Sequence, residues 1–451
     1  MLINKIKNYI IIFFVLLAVY QTGTLWFEDF SSHSFFYTFM SANDHATYEE
    51  IKYTLDCIMI SAGNGEYIKR GNDIYESEYK AVFDNAVKEC VTNGTYSGIK
   101  DGKIIDEMLS GKCGVYKYDY KFEKGDAAKL FGMEASKFKN IGSFDMIIIE
   151  ADNNVPERMR VAFFDDDDSE RKAYLFELKN NDIIKECYDV INDFEIKENE
   201  LYYISSEKNG LRLFEKNVFV PKSSDEKEFC DIEVKNVFEE DGSVLLMTLE
   251  KNIDNFFDNP AIKWSSTVNN VYTYSDENTV VKYYTNGILE YSNYKNTSES
   301  GSRDFYEDYM TAISFMLKDT NIKNEYYLSG YKKDSDKTIF EFNYKINDMP
   351  IIMSDDMKNE TGMENMIEVT VSGGNVSKYK RVAYIFEENK ENNYFVRLDF
   401  LGAVDKVLSI GDNEGKTIRN MNIAYEIERE KSAKPKWVID IEGNIYTENA
   451  G

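Results

Sequence analysis

The chain carries little of the equipment that group-transfer chemistry needs. Its two histidines are His33 and His45. They show no H-E-x-x-H spacing and no neighbouring cysteine cluster, so neither reads as a zinc ligand. There is no G-x-S-x-G, and a Ser/His/Asp triad would have to recruit one of these two rings. The five cysteines, Cys57, Cys90, Cys113, Cys187 and Cys230, form no C-x-x-C pair. Their odd number and wide spacing argue against a disulfide-stapled scaffold and leave one isolated disulfide open. Gly411–Thr417 reads GDNEGKT, close to a phosphate-binding loop, but three residues separate its glycines where the signature has four. Asp165–Asp168 could offer hard oxygen ligands, yet the spacing of a calcium loop does not follow. A solvated loop is expected there, with weak surface binding of divalent cations at most. A carboxylate pair for glycoside hydrolysis could hide among the 80 acidic residues, but nothing singles one out. The expectation is a protein that is not an enzyme, with no catalytic, cofactor-binding or metal-binding residues.

The elements that would position any site can be read from composition and periodicity. At 451 residues the chain is long enough for about three domains. Its 33 Tyr and 29 Phe supply real cores, and 5 Pro exclude a linker-dominated architecture. Fifty-three basic against 80 acidic residues give a net charge of −27, which repels a phosphate backbone, so nucleic acid is not an expected partner. The tyrosine-rich strands are read as packing surfaces with wet hydroxyls rather than as a polysaccharide platform.

The N-terminus carries the strongest physical signal. Lys5 and Lys7 precede Tyr9–Phe27, 19 residues without a charge, close to the ~20 that cross a hydrocarbon core as a helix. Trp26 and Phe27 close the run, and Glu28 and Asp29 follow. This predicts a membrane anchor with residues 1–8 cytoplasmic and the rest extracytoplasmic. A good small-residue cleavage site is missing, which favours an uncleaved anchor over a signal peptide. Phe13, Phe14, Leu16, Leu17 and Tyr20 offer bulky surface to a partner helix, and Gln21 and Thr22 could hydrogen-bond near the outer interface.

Beyond the anchor the expected fold class is α+β: predominantly antiparallel sheet with a few helices. Helical stripes run through Tyr79–Val91, ended by Asn93-Gly94, through Asp126–Phe138, and through Phe305–Leu317. Strands are expected at Met146, Val161, Ala173 and Leu201, and at Leu211, joined to the one before by a turn at Lys208-Asn209-Gly210. Further strands are expected at Thr338–Tyr344, Met366–Ser372, Val382–Phe386, Ile423–Ile427 and Trp437–Ile441. Cys90, on the first stripe, reads as a small core residue. Extracytoplasmic domains are expected over 28–142, 143–258 and 259–451.

Three segments of the last third carry a resemblance. Phe340–Ile352 (FEFNYKINDMPII), Met366–Glu387 (MIEVTVSGGNVSKYKRVAYIFE) and Met421–Tyr446 (MNIAYEIEREKSAKPKWVIDIEGNIY) resemble the extracytoplasmic domain of the YycH/YycI regulatory proteins, most closely the YycI type. Tyr344, Pro350, Gly374, Tyr379, Arg381, Tyr425, Pro435, Trp437 and Gly443 carry the likeness. The resemblance implies a single-pass membrane partner of the WalK (YycG) sensor histidine kinase of cell-wall homeostasis in Gram-positive bacteria. It also leaves open a heterodimer with a homologous protein of the same kind. A membrane-anchored wall hydrolase and an envelope polymer-binding module stand as the alternatives.

Overall fold

The computed structural model describes residues 54–55, 58–63, 65–70, 77–152, 157–166, 171–193, 196, 201–223, 225–295, 303–334, 336–411, 413–428 and 432–450. All lie in one compact unit, Thr47–Gly451. The expected anchor 9–27, with its seven partner-facing residues, lies outside the described residues, as do His33, His45 and Cys57. No helix among the described residues is long and apolar enough to cross a membrane.

The first half builds a nine-stranded antiparallel sheet from β1 (Ile58–Gly63), β2 (Glu66–Arg70), β3 (Thr95–Asp101), β4 (Gly114–Phe122), β5 (Phe144–Asp152), β6 (Arg158–Phe164), β7 (Lys172–Lys179), β8 (Tyr202–Ser205) and β9 (Phe219–Lys222). Their order is β3-β7-β6-β5-β4-β1-β2-β8-β9. Helices α1 (Ser77–Asn93), α2 (Lys103–Ser110) and α3 (Asp182–Asn192) pack on it. Ile105, Met108 and Leu109 of α2 share a core with Met146, Ile148, Ala162 and Phe164. The alternate residues Ile147, Ile149, Val161 and Phe163 point to the opposite face and are equally buried. Covered on both faces, β5 and β6 therefore read as unbroken apolar runs rather than as alternation. Phe83, Ala86, Val87 and Cys90 line the buried stripe of α1, and Gly94 closes its last turn by donating to the Cys90 carbonyl at 3.0 Å.

The second half builds a 14-stranded sheet from β10 (Lys227–Asn236), β13 (Trp264–Val268), β14 (Val271–Ser275), β15 (Thr279–Tyr284), β16 (Ile288–Asn293), β17 (Glu325–Lys333), β18 (Lys337–Ile346), β19 (Met349–Met353), β20 (Ile367–Ser372), β21 (Asn375–Val382), β22 (Tyr384–Val396), β23 (Ile418–Ile427), β24 (Ser432–Ile441) and β25 (Asn444–Asn449). A separate small hairpin, β11 (Glu239–Glu240) with β12 (Ser243–Val244), lies between β10 and β13 in the chain. Pairing is antiparallel throughout except between β19 and β23. Helices α4 (Leu246–Asp254), α5 (Phe305–Met316), α6 (Asp355–Thr361) and α7 (Phe400–Leu408) complete an α+β fold of mostly antiparallel sheet. Asp304 caps α5 by accepting from the Glu307 amide at 2.9 Å, and Phe305, Tyr309, Ala312 and Ile313 turn its apolar face to β18, β20 and β21.

An aromatic cluster joins the two sheets. Phe122 of β4 meets Phe305 of α5 edge-to-face at 5.4 Å, and Tyr120 meets Tyr331 of β17 at 5.9 Å. The Tyr331 hydroxyl donates to Asp126 at 3.3 Å, while Lys129 pairs with Asp304 at 2.5 Å. The chain passes from one sheet to the other between Lys222 and Lys227, and β4 and β5, on either side of residue 142, are paired in the same sheet.

Four local expectations need correction. Leu211–Phe214 is not a strand. The turn at Lys208-Asn209-Gly210 forms, but Leu213 and Glu215 then bond to Ile418 of β23, and β8 pairs instead with β9. Pro221 is tolerated there because β9 ends the sheet. The helix expected over Asp126–Phe138 is two 3₁₀ turns, Ala128–Phe131 and Ala135–Phe138, separated by Gly132 in the left-handed region at φ +64°. The strand expected at Val382–Phe386 is the junction of β21 and β22, broken where the Ala383 amide leaves the ladder to bond Gly287. Finally, the acidic run does not begin as a solvated loop: Asp165 is buried, paired with Lys121 at 2.9 Å and accepting from Ser143 at 2.8 Å.

Candidate functional site

The three segments read separately in the sequence are contiguous in space. β18 pairs with β20, β20 with β21, β19 with β23 and β23 with β24, so all three lie side by side in one sheet.

The β20–β21 hairpin sets the centre. It turns at Gly373 (φ +54°) and Gly374 (φ +78°), and a bulge between Thr370 and Val371 shifts its register. After the bulge, Tyr379 opposes Val369 and Arg381 opposes Ile367, both on the buried face. An arginine among aliphatic side chains needs a counter-charge, because a lone buried guanidinium costs several kcal/mol. Asp319, in the loop after α5, supplies it. Arg381 Nε lies 2.5 Å from Asp319 Oδ2 and Nη2 lies 2.9 Å from Oδ1, a bidentate pair with both side chains fully buried.

The rest of the carboxylate is satisfied as well. Tyr379 donates its hydroxyl to Oδ2 at 3.0 Å, Asn252 of α4 donates Nδ2 to Oδ1 at 3.0 Å, and the Asn321 amide reaches Oδ1 at 3.3 Å. The Phe238 ring faces the guanidinium, 5.9 Å from Cζ. Tyr344 packs alongside, its hydroxyl donating to the Val382 carbonyl at 3.3 Å. Burial opposes the charge on Arg381, but the Asp319 carboxylate beside it holds the guanidinium above its ordinary pKa. Burial first, and then the Asp319 charge, raise Tyr379 well above the ordinary phenol value. Tyr379 is thus a fixed donor and Arg381 a fixed cation. The centre ties α4, the loop after α5 and β21 together.

Of the remaining motif residues, Tyr425 and Trp437 are buried on β23 and β24, with Tyr425 opposite Pro435 and Ile423 opposite Trp437. Gly443 turns β24 into β25 at φ +91°. Pro350 is the second residue of β19. A Cβ on Gly374 would lie 2.8 Å from Arg303 Nη1, the side chain that pairs with the buried Asp308 at 2.9 Å.

A cleft of about 500 Å³ opens where the sheets meet on the side of Tyr425. Lys69 and Tyr203 line it from the first sheet, and Cys230, Asp348, Glu388 and Tyr425 from the second. Tyr425 donates to the Cys230 carbonyl at 3.2 Å, and Asn347 donates to Glu388. Burial pushes the Cys230 thiol up, which keeps it protonated and a poor nucleophile. Cys90, Cys113 and Cys187 are free and buried too. GDNEGKT runs into strand β23 rather than into a helix, and Lys416 donates to Asn413, so no helix N-terminus is there to receive a phosphate. No group of three or more metal-ligating side chains occurs among the described residues.

No local signal marks Asp319 or Asn252 in the sequence. Arg381 two residues from Tyr379 on a buried strand signals that some acid must answer it, but not which one. The cleft likewise has no local signature, since its walls come from six separate strands.

Comparison with known proteins places this architecture. The family model described as the YycH protein C-terminal domain matches residues 215–451. The chain belongs to the YycH family. That match names the YycH type and begins close to the change of sheet, whereas the sequence likeness pointed to the YycI type from residue 259. No curated protein matches the chain. Among solved structures, an uncharacterized protein from Eubacterium rectale ATCC 33656 aligns with 12% identity over 51% of this chain and 85% of its own, at a TM-score of 0.33.

Proposed function

We propose that the chain is a membrane-anchored regulator of a two-component sensor histidine kinase of cell-wall homeostasis. Membership of the YycH family, whose members regulate the WalK (YycG) kinase pathway, is the observation that carries this reading. In it, residues 9–27 cross the cell membrane with the N-terminus cytoplasmic, and the sheets lie outside. The anchor meets the kinase helices through Phe13, Phe14, Leu16, Leu17, Tyr20, Gln21 and Thr22. The YycI-like character of 259–451, and a heterodimer with a homologous protein, belong to the same reading.

Regulation of this kind needs no bond-making. It needs a body whose preference for one kinase state over the other can change, and a difference of 1.4 kcal/mol in that preference is tenfold in the state ratio. The Arg381–Asp319 centre supports the reading by tying α4, the loop after α5 and β21 into one body, and the aromatic junction at Phe122 and Phe305 ties the first sheet to it. A strain lacking the gene tests the proposal: the phosphorylated fraction of the cognate response regulator should change, and the full chain should restore it. An unchanged fraction would contradict it.

A further inference from the structure

The β13 edge of the 14-stranded sheet lacks the features that usually block edge-to-edge pairing. From Trp264 to Ser275, β13, β14 and the turn between them hold twelve residues without a charge, in a chain of net −27. There is no proline in that stretch, and the ladder between the two strands runs without a bulge. Edges of natural sheets are normally blunted by one of these devices. All five residues of β13 are exposed, Trp264 by 66% and Val268 by 64%.

The register shows what fits there. Asn269 and Asn270 close the β13–β14 hairpin with φ +51° and +62°, the two-residue turn whose flanking pair, Val268 and Val271, is hydrogen-bonded. Alternation then turns the N–H and C=O of Ser265 and Thr267 outward, and no backbone bond outside the ladder engages them among the described residues. A two-fold axis through Ser266 sets Ser265 of one copy against Thr267 of the other as hydrogen-bonded pairs. It sets Ser266 against Ser266, and Trp264 against Val268 on the outer face. The strand reads apolar, hydroxyl, hydroxyl, hydroxyl, apolar from either end, so the same axis satisfies the backbone and the side chains.

We propose that β13 is a self-association edge, pairing antiparallel about Ser266 with a second copy of this chain to make one continuous sheet. Lack of charge at the seam is what two acidic bodies need in order to approach, since like charges placed directly opposite each other destabilise a strand pair. The proposal stands independently of the regulatory reading.

The test uses the full-length protein in detergent micelles under mild oxidation. At the non-hydrogen-bonded pair the Ser266 Cα atoms come within about 4.5 Å, inside disulfide range. Ser266→Cys should give a covalent dimer as the main species on non-reducing gels, reversed by reductant. Ser265→Cys, equally exposed but facing Thr267, should stay at the wild-type background. Thr267→Pro, which removes an outward donor and spares the β14 ladder, should abolish the dimer seen by sedimentation with wild type. The proposal is overturned if Ser266→Cys cross-links no more than wild type, if Ser265→Cys cross-links equally, or if dimerisation survives Thr267→Pro. A monomeric wild type that pairs through this edge only with a different protein overturns it as well.

Discussion

Arg381 and Asp319 stand 62 residues apart in sequence and meet as a fully buried bidentate pair, Nε 2.5 Å from Oδ2 and Nη2 2.9 Å from Oδ1. Neither charge could be held alone in that environment, so each fixes the other and the elements that carry them. Replacing Arg381 by Met should leave the Asp319 carboxylate buried without its cation and cost about 3–5 kcal/mol. Arg381→Lys keeps the charge but loses the fork, and should fall between Met and wild type. Urea unfolding checks both, and a loss under 1 kcal/mol for Met would show that the pair does not hold the fold.

The junction of the sheets makes a second prediction. Phe122 and Phe305 are both fully buried, with ring centroids 5.4 Å apart. Phe305→Ala should cost about 3–5 kcal/mol. A double-mutant cycle of Phe122→Leu with Phe305→Leu should show a coupling of about 0.5–1.5 kcal/mol. Strict additivity would mean that the two sheets do not stabilise each other through these rings.

The hairpin glycine is required for two reasons, its φ of +78° and the approach of Arg303 within 2.8 Å of a built Cβ. Gly374→Ala should therefore cost about 1–2 kcal/mol, more than Gly210→Ala, where φ is +68° and nothing stands within 4 Å. Equal midpoint shifts for the two variants would remove the Arg303 contact from the explanation.

Asp166 supplies a pH dependence. Burial raises its carboxyl from an ordinary 3.8 to about 6, opposed by Lys117 and reinforced by Asp145. Its Oδ2 has no hydrogen-bond partner among the described residues. The folded chain therefore holds this proton more tightly than the unfolded chain does. The group costs nothing while protonated in both states, and its penalty grows as pH rises from about 4 to about 6 and is complete above that. Asp166→Asn should stabilise the protein at pH 7 by about 2 kcal/mol, at 1.4 kcal/mol per unit with a discount for partial exposure. The gain should vanish near pH 4. Chemical denaturation across that range decides it, and a gain independent of pH would point to a cause other than this proton.

Much of the fold could be read along the chain because the signals were local. The stripe Phe83–Val91 made a helix, the run at Met146 made β5, and the glycine pair at 373–374 made a hairpin. What could not be read depended on distant partners. Leu211–Phe214 has strand composition, but Leu213 and Phe214 pair with Ile418, more than 200 residues away, and no local pattern encodes that. Tyr344, Tyr379 and Arg381 were legible as a motif, but the point where Tyr379 and Arg381 meet, Asp319 with Asn252, was not. Asp165 has the composition of a solvated loop, and Lys121 and Ser143, brought alongside by β4 and β5, make it part of a buried ion pair.

In the proposed reading the chain regulates a membrane kinase through the anchor. The most direct test is detergent co-purification of the sensor histidine kinase with the full-length chain, beside a version whose residues 9–27 are replaced by an unrelated transmembrane helix. The account predicts that the kinase comes down with the native anchor and is lost with the foreign one. Failure of the native chain to bring it down under mild conditions would contradict the account, and equal capture by both versions would contradict the anchor's part in it.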